Sequence, residues 1–152
     1  MKDIDHICQV LSNREIPFLL WSEVTEADVD FESVLLVNTM GQLRDFYRIA
    51  DLAFVGGSLV PIGGHDPVEP AALGKPVVFG PYMENTGEAA VLLLESRGAE
   101  EVLSVDDLFE LLVDSIHNKE SLVRKGELCR NAVISMTGAS KRTAGILLGD
   151  SD

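Results

Sequence analysis

Two glycine pairs lie seven residues apart in the segment VGGSLVPIGGHDPVEP, which covers residues 55–70. Glycine has no β-carbon, so the main-chain N–H groups at such positions can turn towards a ligand and approach it closely. Asp66 and Pro67 follow the second pair and have the residue types of a helix N-cap and first helical position. Unpaired N–H groups at the start of a helix attract anions. The segment therefore contains the groups needed to bind a phosphate through the main chain.

The same residues also have ordinary structural interpretations. One double glycine alone favours a tight turn, whereas two pairs around one strand-to-helix connection favour a ligand site. Glu69 stands three residues after Asp66, which is capping-box spacing and from spacing alone the more common role. Its carboxylate could instead accept hydrogen bonds from ribose hydroxyls. His65 could bond the loop, donate to a ligand oxygen or act as an acid or base, and we rank the first two above catalysis.

The sequence contains no other recognisable catalytic or cofactor motif. The glycine segment has neither Walker A nor GxGxxG spacing. No Ser/His/Asp order, carboxylate pair or set of metal ligands stands out. Cys8 and Cys129 are far apart and lack metal-binding spacing, so we interpret them as reduced thiols. We therefore predict no catalytic residue of these kinds, no metal and no cofactor.

Composition restricts the class of partner. The 152 residues predict one domain, and their formal charge of −13 with only 12 Lys and Arg argues against a nucleic-acid partner. An anionic ligand would have to be bound by main-chain N–H groups instead of side-chain cations. Neither an apolar run of about 18 residues nor a signal peptide is recognisable, which predicts a cytoplasmic protein.

Short apolar strands alternate with helices along the chain. We predict strands at about 18–21, 34–37, 53–55, 76–79 and 101–103, and helices at about 3–15, 39–50, 67–73, 85–98, 104–117, 120–135 and 139–148. The first two strands are apolar throughout, as expected of buried strands. This alternation predicts a parallel α/β sheet with right-handed crossovers, which binds ligands at the carboxyl ends of its strands. Glycine-bearing turns at Gly41, Gly56–Gly57 and Gly80 follow strands, so we expect them at one edge of the sheet.

Individual residues predict the helix ends. Thr39 and Gln42 have capping-box spacing, and Ser104 has the residue type of an N-cap. Asn85 or Thr86 is the expected N-cap of the fourth helix, and Gly98 is expected to end it in the left-handed conformation.

The segment Asn38–Asn85, NTMGQLRDFYRIADLAFVGGSLVPIGGHDPVEPAALGKPVVFGPYMEN, closely resembles the carboxy-terminal domain of the Kdo transferases. Those enzymes move 3-deoxy-D-manno-octulosonic acid (Kdo) from CMP-Kdo to lipid A precursors in lipopolysaccharide synthesis. The shared string is long and unusual, and the flanking segments are compatible with it to near the end of the chain. The resemblance implies a Rossmann-like parallel sheet flanked by helices, the carboxy-terminal half of a GT-B glycosyltransferase. That half binds the nucleotide-sugar donor.

The resemblance also implies a set of donor-binding residues. They are Met40, Gly41, Gly56, Gly57, Ser58, Gly63, Gly64, His65, Glu69 and Asn85. Residues 56–58 match the glycine turn at the donor site, and residues 63–65 match the second donor loop. Glu69 falls where related enzymes bind the nucleotide ribose, which places that role above capping. Met40 and Gly41 fall near the base, and Asn85 near the sugar. Ser58 could equally be a local cap, and Asn85 the N-cap of the next helix.

Two residues depart from the family pattern. Asp66 stands where the family usually has Asn, which places a negative charge beside a dianionic ligand. At ~6 Å and an effective dielectric constant of roughly 20, the repulsion would be about 2–3 kcal/mol per unit charge. Thr86 stands where an aromatic residue is common.

Some parts of the family enzyme are not recognisable in this chain. They are the amino-terminal domain with its acceptor site, catalytic glutamate and membrane-associating segment, an arginine-bearing turn, and the first strand of the donor domain. We therefore expect a truncated donor-binding domain that is inactive alone, from a parent enzyme at the cytoplasmic face of the inner membrane. The alternative is a non-catalytic nucleotide-binding or pairing module from a split or degenerate gene, with a separately encoded amino-terminal half as partner. A GT-B sugar-nucleotide epimerase fits the GGH…EP string less well.

Overall fold

The computed structural model describes residues 2–25 and 33–148, and the side chains among them at 4–25 and 33–137. The chain divides into two compact units, Met1–Asp45 and Phe46–Asp152. Helix α2, Leu43–Ile49, runs across the division between them.

The first unit contains a helix and two strands. Helix α1 is Lys2–Asn13, and strands β1, Phe18–Leu20, and β2, Val34–Leu36, pair in parallel with Phe18 opposite Val34. The predicted strand at 18–21 ends one residue early, because Trp21 begins a 3₁₀ turn, Trp21–Glu23. The loop predicted at residues 22–32 lies in part outside the described residues.

The prediction that β2 is buried was wrong. Val34 and Leu35 are 40% and 37% exposed. A strand is buried on both faces only when a layer of structure covers each face. In the described part of this unit, α1 is the one helix that can cover the sheet. The apolar run VLLV identified a strand but could not show how much of it is covered.

The second unit contains a three-stranded parallel sheet in the order β3-β4-β5. Its elements are β3 (Ala53–Phe54), α3 (Val68–Ala72), β4 (Val77–Phe79), a 3₁₀ turn (Glu84–Thr86), α4 (Gly87–Glu95), β5 (Ala99–Glu101), α5 (Val105–His117) and α6 (Lys119–Leu148). Val77 pairs with Ala53 on one side and with Ala99 on the other. The predicted parallel α/β architecture, with helices between strands, is confirmed.

The central strand β4 forms the middle of the core. All three of its residues are buried, and the strand has a parallel neighbour on each edge. Around it pack side chains from α3, α4 and α6; the cluster comprises Val55, Ala71, Val77, Phe79, Met83, Ala90, Leu93, Ala99, Cys129 and Val133. Burial of these apolar side chains holds the strand ends, and therefore the loops that follow them, in fixed positions.

The predicted cap at Ser104 is confirmed. Its hydroxyl accepts a hydrogen bond from the N–H of Asp107 at 3.0 Å, and the Asp107 carboxylate accepts one from the N–H of Leu103 at 3.0 Å. The arrangement differs from a capping box by one position, because the Asp107 carboxylate accepts from the residue before the N-cap and not from the N-cap itself. Thr39 and Gln42 also meet, but their side chains bond to each other at 2.8 Å.

The predicted end of α4 was wrong. The helix ends at Glu95, and the residue in the left-handed conformation is Arg97, with φ of +62°. Gly98 serves a different purpose, since a β-carbon there would lie 2.5 Å from the main-chain nitrogen of Cys129. The sequence could not separate these two uses of glycine. Strand β5 accordingly begins two residues earlier than predicted.

The two helices predicted after His117 are one continuous helix, α6. Within residues 2–25 and 33–148, no helix combines the length and the apolar character needed to cross a bilayer.

Candidate functional site

The two glycine pairs lie side by side. Gly57 follows β3 with φ of +78°, a conformation that residues with a β-carbon rarely adopt. The chain then folds back, so that the main-chain N–H of His65 donates to the carbonyl of Gly56 at 3.2 Å. A β-carbon on Gly57 would lie 3.3 Å from the carbonyl oxygen of Gly63. The sequence-based expectation that these loops adjoin is therefore met at the carboxyl end of β3.

The turn after β4 joins the same two loops. The N–H of Tyr82 donates to the carbonyl of Ser58 at 3.0 Å, and the N–H of Gly64 donates to the carbonyl of Tyr82 at 2.8 Å. Gly80 lies so close to the main chain of Ser58 that a β-carbon would be 2.8 Å from the nitrogen of Leu59. Three segments therefore meet where β3 and β4 end, at the edge where parallel α/β sheets bind ligands.

Ser58 has a local role in this arrangement. It is fully buried, and its hydroxyl donates to the carbonyl of Val55 at 2.6 Å while accepting from the N–H of Gly80 at 2.8 Å. The hydroxyl is thus occupied by the ends of the two strands. Two roles were considered for Ser58, a local cap and direct contact with a ligand. The structure supports the local role, in which the hydroxyl bonds the main chain at the ends of β3 and β4.

Asn85 lies beside the second glycine pair. A β-carbon on Gly63, whose φ is +77°, would lie 3.0 Å from the side-chain carbonyl carbon of Asn85. The N-cap position of α4 belongs to Thr86, which forms no side-chain capping bond and whose Oγ1 is buried without a partner among the described residues. The expected local role of Asn85 as the N-cap of α4 is therefore not the one observed. Its exposed amide remains available to a ligand.

Helix α3 is a single turn of five residues, so its dipole contributes little to anion binding. The prediction of Asp66 as the N-cap was wrong by one position, because Pro67 is the N-cap of α3 and makes no side-chain capping bond; the Asp66 carboxylate, one residue earlier, accepts the N–H of Val68 at 2.8 Å. Glu69 is exposed, and the described residues offer it no capping hydrogen bond. Its carboxylate is therefore free to accept hydrogen bonds from a ligand.

Tyr47 belongs to the same neighbourhood, although its place in the sequence did not indicate a functional role. Burial raises the pKa of this half-buried phenol, and the negative charges of Glu69 and Asp66 raise it further. The hydroxyl therefore stays protonated beside two carboxylates. An aromatic residue on a short amphipathic helix has the pattern of a core residue, so the sequence pattern did not indicate that Tyr47 lies at the site.

The remaining predicted residues occupy different surroundings. His65 is exposed next to Gly56, and the main chain of Gly64 is buried against Met83. Met40 and Gly41 lie in the first unit; the Met40 side chain is 93% exposed, and Gly41 has φ of +94°.

Main-chain N–H groups are the donors available to an anion where these three segments meet. No Lys or Arg occurs from residue 49 to residue 74. The N–H groups of Gly56, Gly57 and Gly63 have no hydrogen-bond acceptor within the described ranges 2–25 and 33–148. Successive N–H groups such as those of Gly56 and Gly57 can form a concave anion site. Among the described residues there is no group of three or more His, Cys, Asp or Glu side chains that could hold a metal ion.

Comparison with known proteins gives several relatives that are named 3-deoxy-D-manno-octulosonic acid transferase. The 3-deoxy-D-manno-octulosonic acid transferase of Haemophilus influenzae is 36% identical over 142 residues, which are 93% of this chain and 33% of that protein. The enzyme of the same name from Chlamydia pneumoniae is 34% identical over 131 residues, covering 84% of this chain and 29% of the relative. No protein-family model matches the chain.

A solved structure shows the fold. The C-terminal CMP-Kdo binding domain of WaaA from Acinetobacter baumannii superposes with a TM-score of 0.69 at 24% identity, over 84% of this chain and 68% of that one. The present chain spans about a third of the length of its sequence relatives. Over that third, the chain is related in sequence to the Kdo transferases and has the fold of that C-terminal domain, which confirms the resemblance found in its sequence.

Proposed function

We propose that the chain is the donor-binding part of a glycosyltransferase that moves Kdo from CMP-Kdo to a lipid A precursor. The relatives and the shared fold support this proposal. The observation that carries it is the meeting of residues 56–58, 63–65 and 80–85 around main-chain N–H groups that have no acceptor among the described residues. An anion held there needs no lysine or arginine, in keeping with a formal charge of −13.

Each group in the site has a proposed role. The N–H groups of Gly56, Gly57 and Gly63 donate to the phosphate of CMP. The exposed side chains of His65 and Asn85 donate to oxygens of the Kdo sugar. Glu69 accepts hydrogen bonds from the ribose hydroxyls, which an ionised carboxylate can do with both of its oxygens. The resemblance to the Kdo transferases further assigns Met40 and Gly41 to the base.

The chemistry proposed for this chain is stabilisation of the leaving group. An acceptor hydroxyl forms the new bond to the anomeric carbon of Kdo, the bond from that carbon to the phosphate oxygen breaks, and the hydroxyl proton passes to a base. Main-chain donors fixed by the packing of β3 and β4 stabilise the negative charge that develops on CMP. The base belongs to the amino-terminal domain of the parent enzyme, so we propose that the chain alone does not transfer Kdo.

The acceptor and the cellular location follow from the same proposal. The lipid A precursor would be bound by an amino-terminal half, encoded in the same or a separate gene, and the assembled enzyme would work at the cytoplasmic face of the inner membrane.

The experiment is an amide hydrogen-exchange measurement on the chain, with and without CMP and CMP-Kdo. We expect slower exchange at residues 56–58 and 63–69 with either ligand. Glu69→Gln should weaken CMP binding about tenfold or more, the usual effect of losing a hydrogen bond to a charged group. Glu95→Gln, an exposed change on α4, is the matched control.

Different results would contradict the two parts of the proposal, the donor site and the inactivity of the isolated chain. Unchanged exchange in these segments, or equal affinity in Glu69→Gln and Glu95→Gln, would refute the donor site and favour a pairing module without nucleotide. Formation of product by the chain with CMP-Kdo and lipid A precursor would refute only its inactivity in isolation.

A further inference from the structure

A groove lies at the edge of the three-stranded sheet opposite the glycine loops. It has a volume of about 380 Å³, and its walls are residues just before β3 and β4 and one face of α6. Its charged lining residues are Asp51, Lys75, Lys119, Glu127 and Arg130. The amino ends of β3 and β4 lie at this edge, whereas the glycine loops lie at their carboxyl ends. The groove is therefore separate from the proposed donor site.

Close packing of two main-chain segments fixes the walls of the groove. Gly126 of α6 lies so near the carbonyl of Gly74 that a β-carbon on Gly126 would overlap it. Arg130, one turn further along α6, crosses the same turn, and its Cδ is 3.9 Å from the position that a β-carbon on Gly74 would take. Lys75 follows Gly74 directly. Arg130 and Lys75 therefore line the groove from two elements whose main chains are in contact.

The cations of the groove have no counter-charge in the described part of the protein. Among residues 4–25 and 33–137, none of Lys75, Lys119 and Arg130 has an ion-pair partner, although the chain carries 25 Asp and Glu against 12 Lys and Arg. Lys75 is half-buried. Burial of a cation lowers stability unless a negative group compensates it, so an unpaired lysine at this position favours an anionic ligand.

Two carboxylates belong to the same lining. Asp51 and Glu127 would each repel an anion in the groove. Three cations and two carboxylates leave one net positive charge there, in a chain whose formal charge is −13. The groove is thus a local region of positive charge on an acidic protein.

We propose that this groove binds a small ligand through a phosphate group. The Arg130 guanidinium donates two parallel hydrogen bonds to the phosphate oxygens, and the Lys75 ammonium supplies a second positive charge beside it. Lys119 stands eleven residues before Arg130 on the same face of α6, about 16 Å along the helix axis, and attracts the anion from the far end of the groove. A volume near 380 Å³ is in the lower part of the range of small-molecule sites, which favours a small ligand over a partner protein.

The first test is amide NMR spectroscopy of the full chain with inorganic pyrophosphate as the probe. CMP is added at saturation, so that the probe does not occupy the proposed donor site. We expect shifts at residues 73–76 and 119–130 that decrease with added salt. The groove shares no residue with segments 56–58, 63–69 or 80–85, so a failure here leaves the proposed donor site unaffected.

Substitutions test the assigned contacts. Arg130→Gln should weaken pyrophosphate binding about tenfold or more, because a pair of charge-assisted hydrogen bonds is lost. Arg124→Gln is the matched control, since Arg124 is also an exposed arginine of α6 but does not line the groove. Lys75→Gln should weaken binding as well, whereas Glu127→Gln should strengthen it by removing a repelling charge. Thermal melting verifies that each variant is folded.

A soluble phosphate ester and a phospholipid headgroup present the same chemical group, and vesicles distinguish these two sources. The chain is sedimented with phosphatidylcholine vesicles that contain or lack phosphatidic acid. Binding of pyrophosphate that depends on Arg130 would assign the groove to a soluble ester. Binding to phosphatidic acid that depends on Arg130 would assign it to a headgroup, and either result supports the phosphate site.

Three results would overturn the proposal. The first is that neither probe binds. The second is that Arg130→Gln and Arg124→Gln have equal affinities for the probe that binds. The third is that a hexaglutamate peptide binds more tightly than pyrophosphate, which would assign the groove to an acidic segment of a partner protein.

Discussion

The hydroxyl of Ser58 accepts a hydrogen bond from the main-chain N–H of Gly80 at 2.8 Å. Both residues are buried, so the bond is shielded from solvent. Because Ser58 follows β3 and Gly80 follows β4, this bond fixes the separation of the two glycine turns. Ser58 therefore acts on the proposed donor site through the positions of its neighbours.

Replacing Ser58 with alanine should destabilise the protein. Ser58→Ala leaves the buried N–H of Gly80 without an acceptor, which lowers the free energy of unfolding by about 1–3 kcal/mol. Urea denaturation measures this change. Ser135→Ala is the control, since the Ser135 hydroxyl also donates to a main-chain carbonyl, that of Ala132 at 2.6 Å, but on an exposed part of α6. We expect an effect within about 0.5 kcal/mol there. Equal effects in the two variants would contradict the bridging role of Ser58.

Replacing Gly63 with alanine should impair the proposed donor site. The alanine would have to keep φ of +77°, and its β-carbon would overlap the amide of Asn85. The conformation alone costs about 1–2 kcal/mol, and displacement of Asn85 should weaken CMP binding about tenfold. Titration calorimetry measures the affinity. Gly87→Ala is the control, because Gly87 has a helical conformation with φ of −54° and open space around its β-carbon position. An affinity in Gly63→Ala equal to that of the control would contradict the proposed contact.

The sequence predicted those features that depend on local pattern. The parallel strands, the cap at Ser104 and the placement of the glycine loops at strand ends all follow from short-range signals. These signals act over a few residues, and the packing of the second unit agrees with them.

Features that depend on contacts between distant residues could not be predicted. The residue type of Ser58 does not reveal that its hydroxyl points between two strands. Gly98 was predicted to end a helix, but its lack of a β-carbon is needed for contact with Cys129. Two helices were predicted, at 120–135 and 139–148, with Gly138 between them. A glycine costs a helix only about 1 kcal/mol relative to alanine, which a long helix tolerates.

Replacing Gly126 with alanine should destabilise the protein, although alanine favours helices. In an unhindered helix, glycine-to-alanine substitution stabilises by about 0.5–1 kcal/mol. In α6, a β-carbon at Gly126 would overlap the main chain of Gly74, in the turn that connects α3 to β4. Overpacking of this kind costs about 1–3 kcal/mol, so the sign should reverse. Thermal unfolding measures the change, and a stabilised variant would show that α6 does not pack this closely against the turn.

Replacing Asp66 with asparagine should strengthen CMP binding. Asparagine keeps an oxygen that can accept the N–H of Val68, so the hydrogen bond at the start of α3 is retained. Asp66 is exposed, and at ~6 Å in water the repulsion of one unit charge is about 0.7 kcal/mol, well below the value expected at lower dielectric. The affinity should therefore rise about threefold at low salt and less at high salt. Glu84→Gln, another exposed charge removal, is the control, and an equal gain there would indicate only a general charge effect.

The stability contributed by Cys129 should fall at alkaline pH. Burial of this thiol, which lies on α6 in the core, raises its pKa from 9.0 to about 11, and a hydrogen bond with the main chain of Val77 lowers it in part. The folded state therefore holds the proton more tightly than the unfolded state does. The contribution is complete below pH 9 and is lost as the pH rises through 11. The unfolding free energy of the unsubstituted protein, taken relative to that of Cys129→Ala, should be about 2 kcal/mol lower at about pH 10.5 than at neutral pH.

The comparison with Cys129→Ala cancels the titration of lysines and tyrosines, which both proteins share. Urea denaturation at several pH values measures the difference, and a constant difference would mean that the buried thiol does not retain its proton.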